Sequence, residues 1–186
     1  MDGQIDLKEI LKKDSISSEL ELEQALILDR KLRLLVKELP ELAVERDKLR
    51  SIIQTYENHN WNSNIEISEQ KIIESDHAEI NAEQERQFLE IRKQKIKNSI
   101  DKFGLTQQDL AKLLGHGKSY MSELINGISP FSHRDLIILH RLFDIKLEYL
   151  VPTVISEKDR KKLKESLLQL NKPELKLEKI DILTAG

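Results

Sequence analysis

Apolar residues recur at helical spacing over most of this chain. The clearest run lies over 18–37, where Ser18 precedes Leu20, Leu22, Ala25, Leu26, Leu28, Leu32, Leu35 and Val36, and Glu21 takes the third helical position. That is a capped helix with one broad apolar face. Pro40 suits the first turn of a second helix, whose side carries Leu42, Leu49, Ile52, Ile53 and Tyr56. Two helices with a short connection predict an antiparallel pair. A weaker stripe, Ile5, Leu7, Ile10 and Leu11, predicts a short helix before them. Residues 1–60 therefore read as one helical region. It buries too little by itself and needs a second surface, its own copy or the other half of the chain.

The polar run Asn58 to Asn64 marks a boundary, with Trp61 packing back on the helices before it. Residues 61–82 read as a linker. Within it Ile65-Glu66-Ile67 alternates as a strand does, while Lys71-Ile72-Ile73-Glu74 suits a helix. From about Asn81 the pattern is helical to Lys102, with Phe88, Leu89, Ile91, Ile96 and Ile100 on the core side. Arg86, Arg92, Lys93, Lys95 and Lys97 form the most basic run of the chain. Beyond Pro152, residues 153–186 read as an extension: a helix from Ser156 to about Leu170, then Leu175, Leu177, Ile180 and Ile182 alternating with polar residues as in an extended segment.

Between these lies the most punctuated stretch, Gly104 to Val151. Thr106 caps a helix with Asp109 at N3, and Leu110, Leu113 and Leu114 share a face. Gly115 and Gly117 break the chain where that helix should stop. Lys118 to Ile125 forms a second short helix with Met121, Leu124 and Ile125 apolar, ended by Asn126-Gly127. Ser132 caps a third, with Asp135 at N3. Two short helices joined by a glycine turn and braced by others make a helix-turn-helix over 83–152. Its second helix carries Ser119, Tyr120, Ser122 and Glu123 on the side expected to be exposed. Small polar groups in that position can meet the donors, acceptors and methyls of base edges.

Composition sharpens this picture. Charged residues are 34% and aromatics 4% of the 186, which suits helical modules. The absence of cysteine removes disulfides and thiolate chemistry and fits a reducing compartment. The first residues carry no secretory-leader pattern, and no apolar run approaches the roughly 20 residues of a membrane span. The expectation is a soluble, cytoplasmic protein without membrane contact. The net charge of −3 averages two unlike halves: residues 1–85 hold 11 basic and 20 acidic residues (−9), residues 86–186 hold 19 and 13 (+6). DNA affinity depends on where cations meet phosphate, so the total does not argue against it. The acidic half would attract a basic partner.

Gly104-Leu-Thr-Gln-Gln-Asp-Leu-Ala-Lys-Leu-Leu-Gly115, followed by Ser119-Tyr-Met-Ser-Glu-Leu-Ile-Asn-Gly127, resembles the XRE/Cro-type helix-turn-helix of phage repressors and bacterial regulators. The resemblance implies a five-helix, lambda-repressor-like domain within an all-α protein that binds double-stranded DNA. It implies phosphate contact at Gln107, and places Lys118, Ser119, Tyr120, Ser122 and Glu123 at or near the groove. Gln108, with Lys93 and Lys97 from the lead helix, is expected to add phosphate contacts. Gly117 departs from the usual Ser or Thr cap, and Glu123 stands where a base is common. The acidic half has its own resemblance. Glu21 to Leu26, Asp47-Lys48-Leu49 and Ile52 to Glu57, in that order ahead of the helix-turn-helix, are similar to HigA-type antitoxins. This implies repression of its own operon and neutralisation of a small basic HigB-type messenger-RNA-cleaving toxin; for a helix-turn-helix regulator of this kind a homodimer on a palindromic operator is expected.

No metal or cofactor is expected. His59, His77, His116, His133 and His140 form no ligand pattern, and no nucleophile–base set can be assembled by spacing. The expectation is a binding protein and not an enzyme. Two other readings stand beside it: a regulator with no toxin, and a protein-interaction module whose helix-turn-helix no longer binds DNA. The second is kept open by Glu123, Gly117 and a motif whose residues 101–150 hold six cations and six anions.

Overall fold

The structure is a computed structural model that describes residues 4–61, 68–152, 157–171 and 175. Those residues form helices and contain no strand: α1 (Leu7–Lys13), α2 (Glu19–Leu35), α3 (Leu42–Asn60), α4 (Glu69–Lys102), α5 (Gln107–Leu114), α6 (Lys118–Asn126), α7 (His133–Phe143), a 3-10 turn (Leu147–Tyr149) and α8 (Glu157–Gln169). The all-α expectation holds. So do the caps read from sequence. Ser18 Oγ accepts from the Glu21 amide, and Thr106 and Ser132 each close a reciprocal box with Asp109 and Asp135.

α2 and α3 are antiparallel. Arg46, early in α3, pairs with Asp29, late in α2, at 2.8 Å. Glu19, at the start of α2, accepts from the Tyr56 hydroxyl at 3.0 Å and the Trp61 indole N–H at 3.1 Å, both at the end of α3. Trp61 thus packs where expected. Leu22, Ala25, Leu28, Leu32, Leu49, Ile52 and Ile53 fill the core between them. α1 adds Leu7 and Ile10. The surplus surface of this small bundle is covered by α4, which runs along α2.

α4 corrects two expectations. It begins at Glu69, well before Asn81, so residues 69–82 are helix where a linker was expected. The buried positions there are Ala78 and Ala82, which let α2 come close but carry little hydropathy to mark a face. Ile65 to Ile67, the strand-like alternation, lie outside the described residues. The stripe continues as Ala78, Ala82, half-buried Glu85, Leu89, Arg92 and Ile96, spaced alternately by four and three, the period of a packed helix seam. Arg92, read as part of a basic surface run, is 4% exposed inside that seam.

The far end of α4 enters a second core. Ile96 and Ile100 pack with Leu110, Ala111, Leu114, Met121, Leu124, Ile125, Phe131, Leu139, Phe143, Ile145 and Leu150. One helix therefore packs along α2 of the first bundle and supplies side chains to the second core. Leu113, placed by periodicity on the buried face of α5, is 48% exposed, a correction of one position at the edge of a short helix. In the extension, α8 matches the expected helix and leaves Leu168 and Leu170 exposed. Leu177, Ile180 and Ile182 lie outside the described residues.

Candidate nucleic-acid interface

The chain bends between α5 and α6 because the sequence removes side chains there. Gly115 caps α5 in the left-handed region (φ 79°), which an L side chain enters at a cost. Gly117 is the N-cap of α6 and contributes no side-chain bond, so the departure noted in sequence leaves that helix start uncapped. The turn is pinned from α7 instead. His116 Nε2 lies 3.0 Å from Asp135 Oδ2, and Arg134 Nη1 donates to the Leu114 carbonyl at 3.0 Å. Asp135 itself is buried and holds the Ser132 cap. Gly127 (φ 69°) ends α6.

α6 buries Met121, Leu124 and Ile125 against α4, α5 and α7, as its apolar spacing requires. Its remaining side is where the structure departs from the expected exposed face. Lys118 is exposed. Ser119 Oγ donates to Glu41 Oε1 at 3.0 Å. The Tyr120 ring is half-buried, edge-on to His116 at 5.2 Å and beneath Lys8 Nζ at 4.6 Å. Ser122 is 8% and Glu123 9% exposed, which corrects their expected exposure. Glu123 accepts from Ser129 Oγ at 3.3 Å and pairs with Lys8 at 3.4 Å. The physical reason is a neighbour that local spacing cannot show: α1 and the start of α3 stand on this side of α6.

Directly beyond α6, Ile128 is 0% exposed and packs in the core of α1, α2 and α3. Its carbonyl accepts from the Leu7 amide at 3.3 Å, and the Ser129 carbonyl accepts from Gln4 Nε2 at 3.3 Å. Lys8, Glu41 and Ile128 are thus site residues that sequence spacing did not single out. The one available signal was an isoleucine directly after a helix-ending glycine.

The other candidates separate by face. Gln107 is half-buried and Gln108 exposed at the start of α5. On α4, Lys97 is exposed, while half-buried Lys93 lies near enough to Lys31 of α2 to act on its charge. Lys95 turns the other way, with Nζ 4.5 Å over the Tyr149 ring. The structure therefore joins Ser119, Tyr120, Ser122 and Glu123 in one contiguous face, and does not bring Lys93 fully into solvent.

Charged groups also lie in the seam behind this face. Arg92 Nη2 donates to Gln4 Oε1 at 2.7 Å and its guanidinium sits between the Phe88 and Phe131 rings. Burial brings it down to about 10, against the pull of Glu85. Glu85 accepts from Gln24 and from the Ile5 amide, and burial raises it. Lys31 falls to about 8, again through burial. Among the described residues no cluster of His, Asp or Glu could hold a metal ion, and no helix is long and apolar enough to cross a membrane.

Residues 96–150 match a known family, the helix-turn-helix of XRE type, and a domain of that kind is present there. The match spans the end of α4 through the 3-10 turn. No curated protein and no solved structure matches the chain.

Proposed function

We propose that this protein is a DNA-binding transcriptional regulator, a binding protein without catalytic activity, that reads an operator with α6. The observation that carries this reading is the α5–turn–α6 unit. It has a boxed first helix, a left-handed glycine turn pinned by His116 and Asp135, and a second helix seated on the end of α4, all within the matched residues 96–150. Phosphate contacts from Gln107, Gln108, Lys118, Lys93 and Lys97 would fix register. Ser119, Tyr120, Ser122 and Glu123 would read bases from a homodimer, whose two copies of α6 stand about 34 Å apart on a palindromic site.

The finer reading is that of an antitoxin that represses its own operon and neutralises a HigB-type toxin. Its support is the resemblance carried by Glu21 to Leu26, Asp47 to Leu49 and Ile52 to Glu57. These segments lie together on α2 and α3, one antiparallel hairpin in the acidic half. A basic ribonuclease would be drawn to such a surface. Co-expression with a small basic protein encoded beside this gene tests it. A co-purifying complex and restored growth are expected; free growth arrest with no complex would refute the antitoxin role.

Operator binding is tested by fluorescence anisotropy on the DNA upstream of the gene and on a scrambled duplex, through a salt series. Sequence-specific regulation requires binding tighter by about three orders of magnitude on the first. Lys97→Glu should weaken both by removing one phosphate contact and lower the salt slope by about one. A second reading, a helix-turn-helix that serves as an internal docking surface, is favoured by the burial of Ser122, Glu123 and Ile128. Under it, Lys97→Glu changes nothing and neither duplex binds.

A further inference from the structure

The face of α6 that would read DNA is already occupied by the same chain. Lys8 of α1 covers Tyr120 and pairs with Glu123, while Glu41, just ahead of α3, takes the Ser119 hydroxyl. The occupant offers what a duplex would offer at the same positions: a carboxylate oxygen accepts from Ser119 where a phosphate oxygen could, and a cation satisfies Glu123 where a cytosine amino group could. Base edges need direct contact, so the same side chains cannot serve both.

We propose that α1, with Gln4, Ile5 and Asp6 ahead of it, is a strap that closes the Tyr120–Glu123 side of the reading face of α6, and that DNA and α1 compete for that side. This rests on the DNA-binding reading given above. Three features fit a strap. α1 is short, seven residues from Leu7 to Lys13. It ends at Asp14 in the left-handed region (φ 56°), so the chain turns sharply before Ser18 begins α2. Its hold on the helix-turn-helix includes polar contacts that water can replace, Leu7 to the Ile128 carbonyl, Gln4 to the Ser129 carbonyl and to Arg92, and Lys8 to Glu123, beside the packing of Ile128 in the core around Leu7. Polar contacts exchange for water on release at small net cost. The apolar contacts of Leu7 and Ile10 oppose release, so the closed state predominates without a competitor. The apparent DNA affinity of the chain is then its open-state affinity reduced by the open fraction.

Lys8→Ala distinguishes this from simple electrostatics. Losing a cation beside a DNA site weakens binding on charge alone. Losing a strap contact does the reverse. Binding of a randomised duplex library and of the gene's upstream DNA should tighten by about threefold to fivefold in the variant, the population effect of one half-exposed pair. In the unmodified protein, adding saturating DNA should speed hydrogen exchange at the amides of α1 while slowing it in α6. If Lys8→Ala binds equally or more weakly and α1 stays protected in the DNA complex, the strap is overturned while the DNA reading survives. If neither protein binds any duplex, the DNA reading fails and takes the strap with it.

Discussion

The backbone amide of Leu7 donates to the carbonyl of Ile128 at 3.3 Å, and the side chain of Ile128 is buried among the residues around Leu7. A residue of the helix-turn-helix domain therefore completes the core of the amino-terminal helices. The two halves are joined by packing as well as by α4. Ile128→Ala should cost about 2–5 kcal/mol, the range for truncating a fully buried aliphatic side chain to alanine. Leu113→Ala, on the same domain but half-exposed, should stay within about 0.5 kcal/mol. Urea denaturation of both variants checks this. Equal, small losses would mean that Ile128 is not packed as described.

Two glycines share a backbone conformation but not a neighbourhood. Gly115 (φ 79°) has open space where a Cβ would stand, whereas a Cβ on Gly127 (φ 69°) would lie 3.0 Å from Leu89 Cδ1 and 3.2 Å from Lys31 Nζ. Each alanine substitution meets left-handed strain of about 1–2 kcal/mol. Gly127→Ala should lose about 1–3 kcal/mol more, because Leu89 is buried in the α2–α4 seam and has little room to move. Thermal or urea midpoints of the two variants compare them directly.

Lys31 gives the seam a pH dependence. Burial lowers it from 10.5 to about 8. Between those values the unfolded chain holds the proton and the folded chain releases it, so stability rises with pH across that window. Below it, both states are charged and the full penalty of burial is present. Lys31→Met should be more stable than the parent near pH 7 by at most about 3 kcal/mol, and the advantage should shrink by about pH 10. Parallel urea midpoints at the two pH values measure the difference. An advantage that does not change with pH would place the effect in packing alone.

Most helices were legible because their signals are local. Ser18, Thr106 and Ser132 announce helix starts through an amide three residues on, and each bond forms as the spacing requires. Gly115 and Gly127 mark stops in the same way. The early part of α4 was not legible. Its buried positions are Ala78 and Ala82, which are too weakly apolar to mark a face. The site was legible in its residues and not in its surroundings. Ser119, Tyr120, Ser122 and Glu123 do share one face, but polarity alone could not tell a solvated face from one already paired with Lys8, Glu41 and Ser129.

By itself, the sequence determined the elements: where helices begin and end, which faces are apolar, and that a glycine-turned helix pair sits in residues 104–127. Those features depend on capping, backbone freedom and side-chain period, all set within a few residues. Only the tertiary structure decided that α4 packs along α2 and continues into the second core, that Arg92 and Glu85 lie in the seam, and that Lys8 of α1 rests on α6. These depend on groups far apart in the chain, such as Gln4 with Arg92 and Lys8 with Glu123. A buried charge and a solvated one look alike until the partner that neutralises it is brought into place.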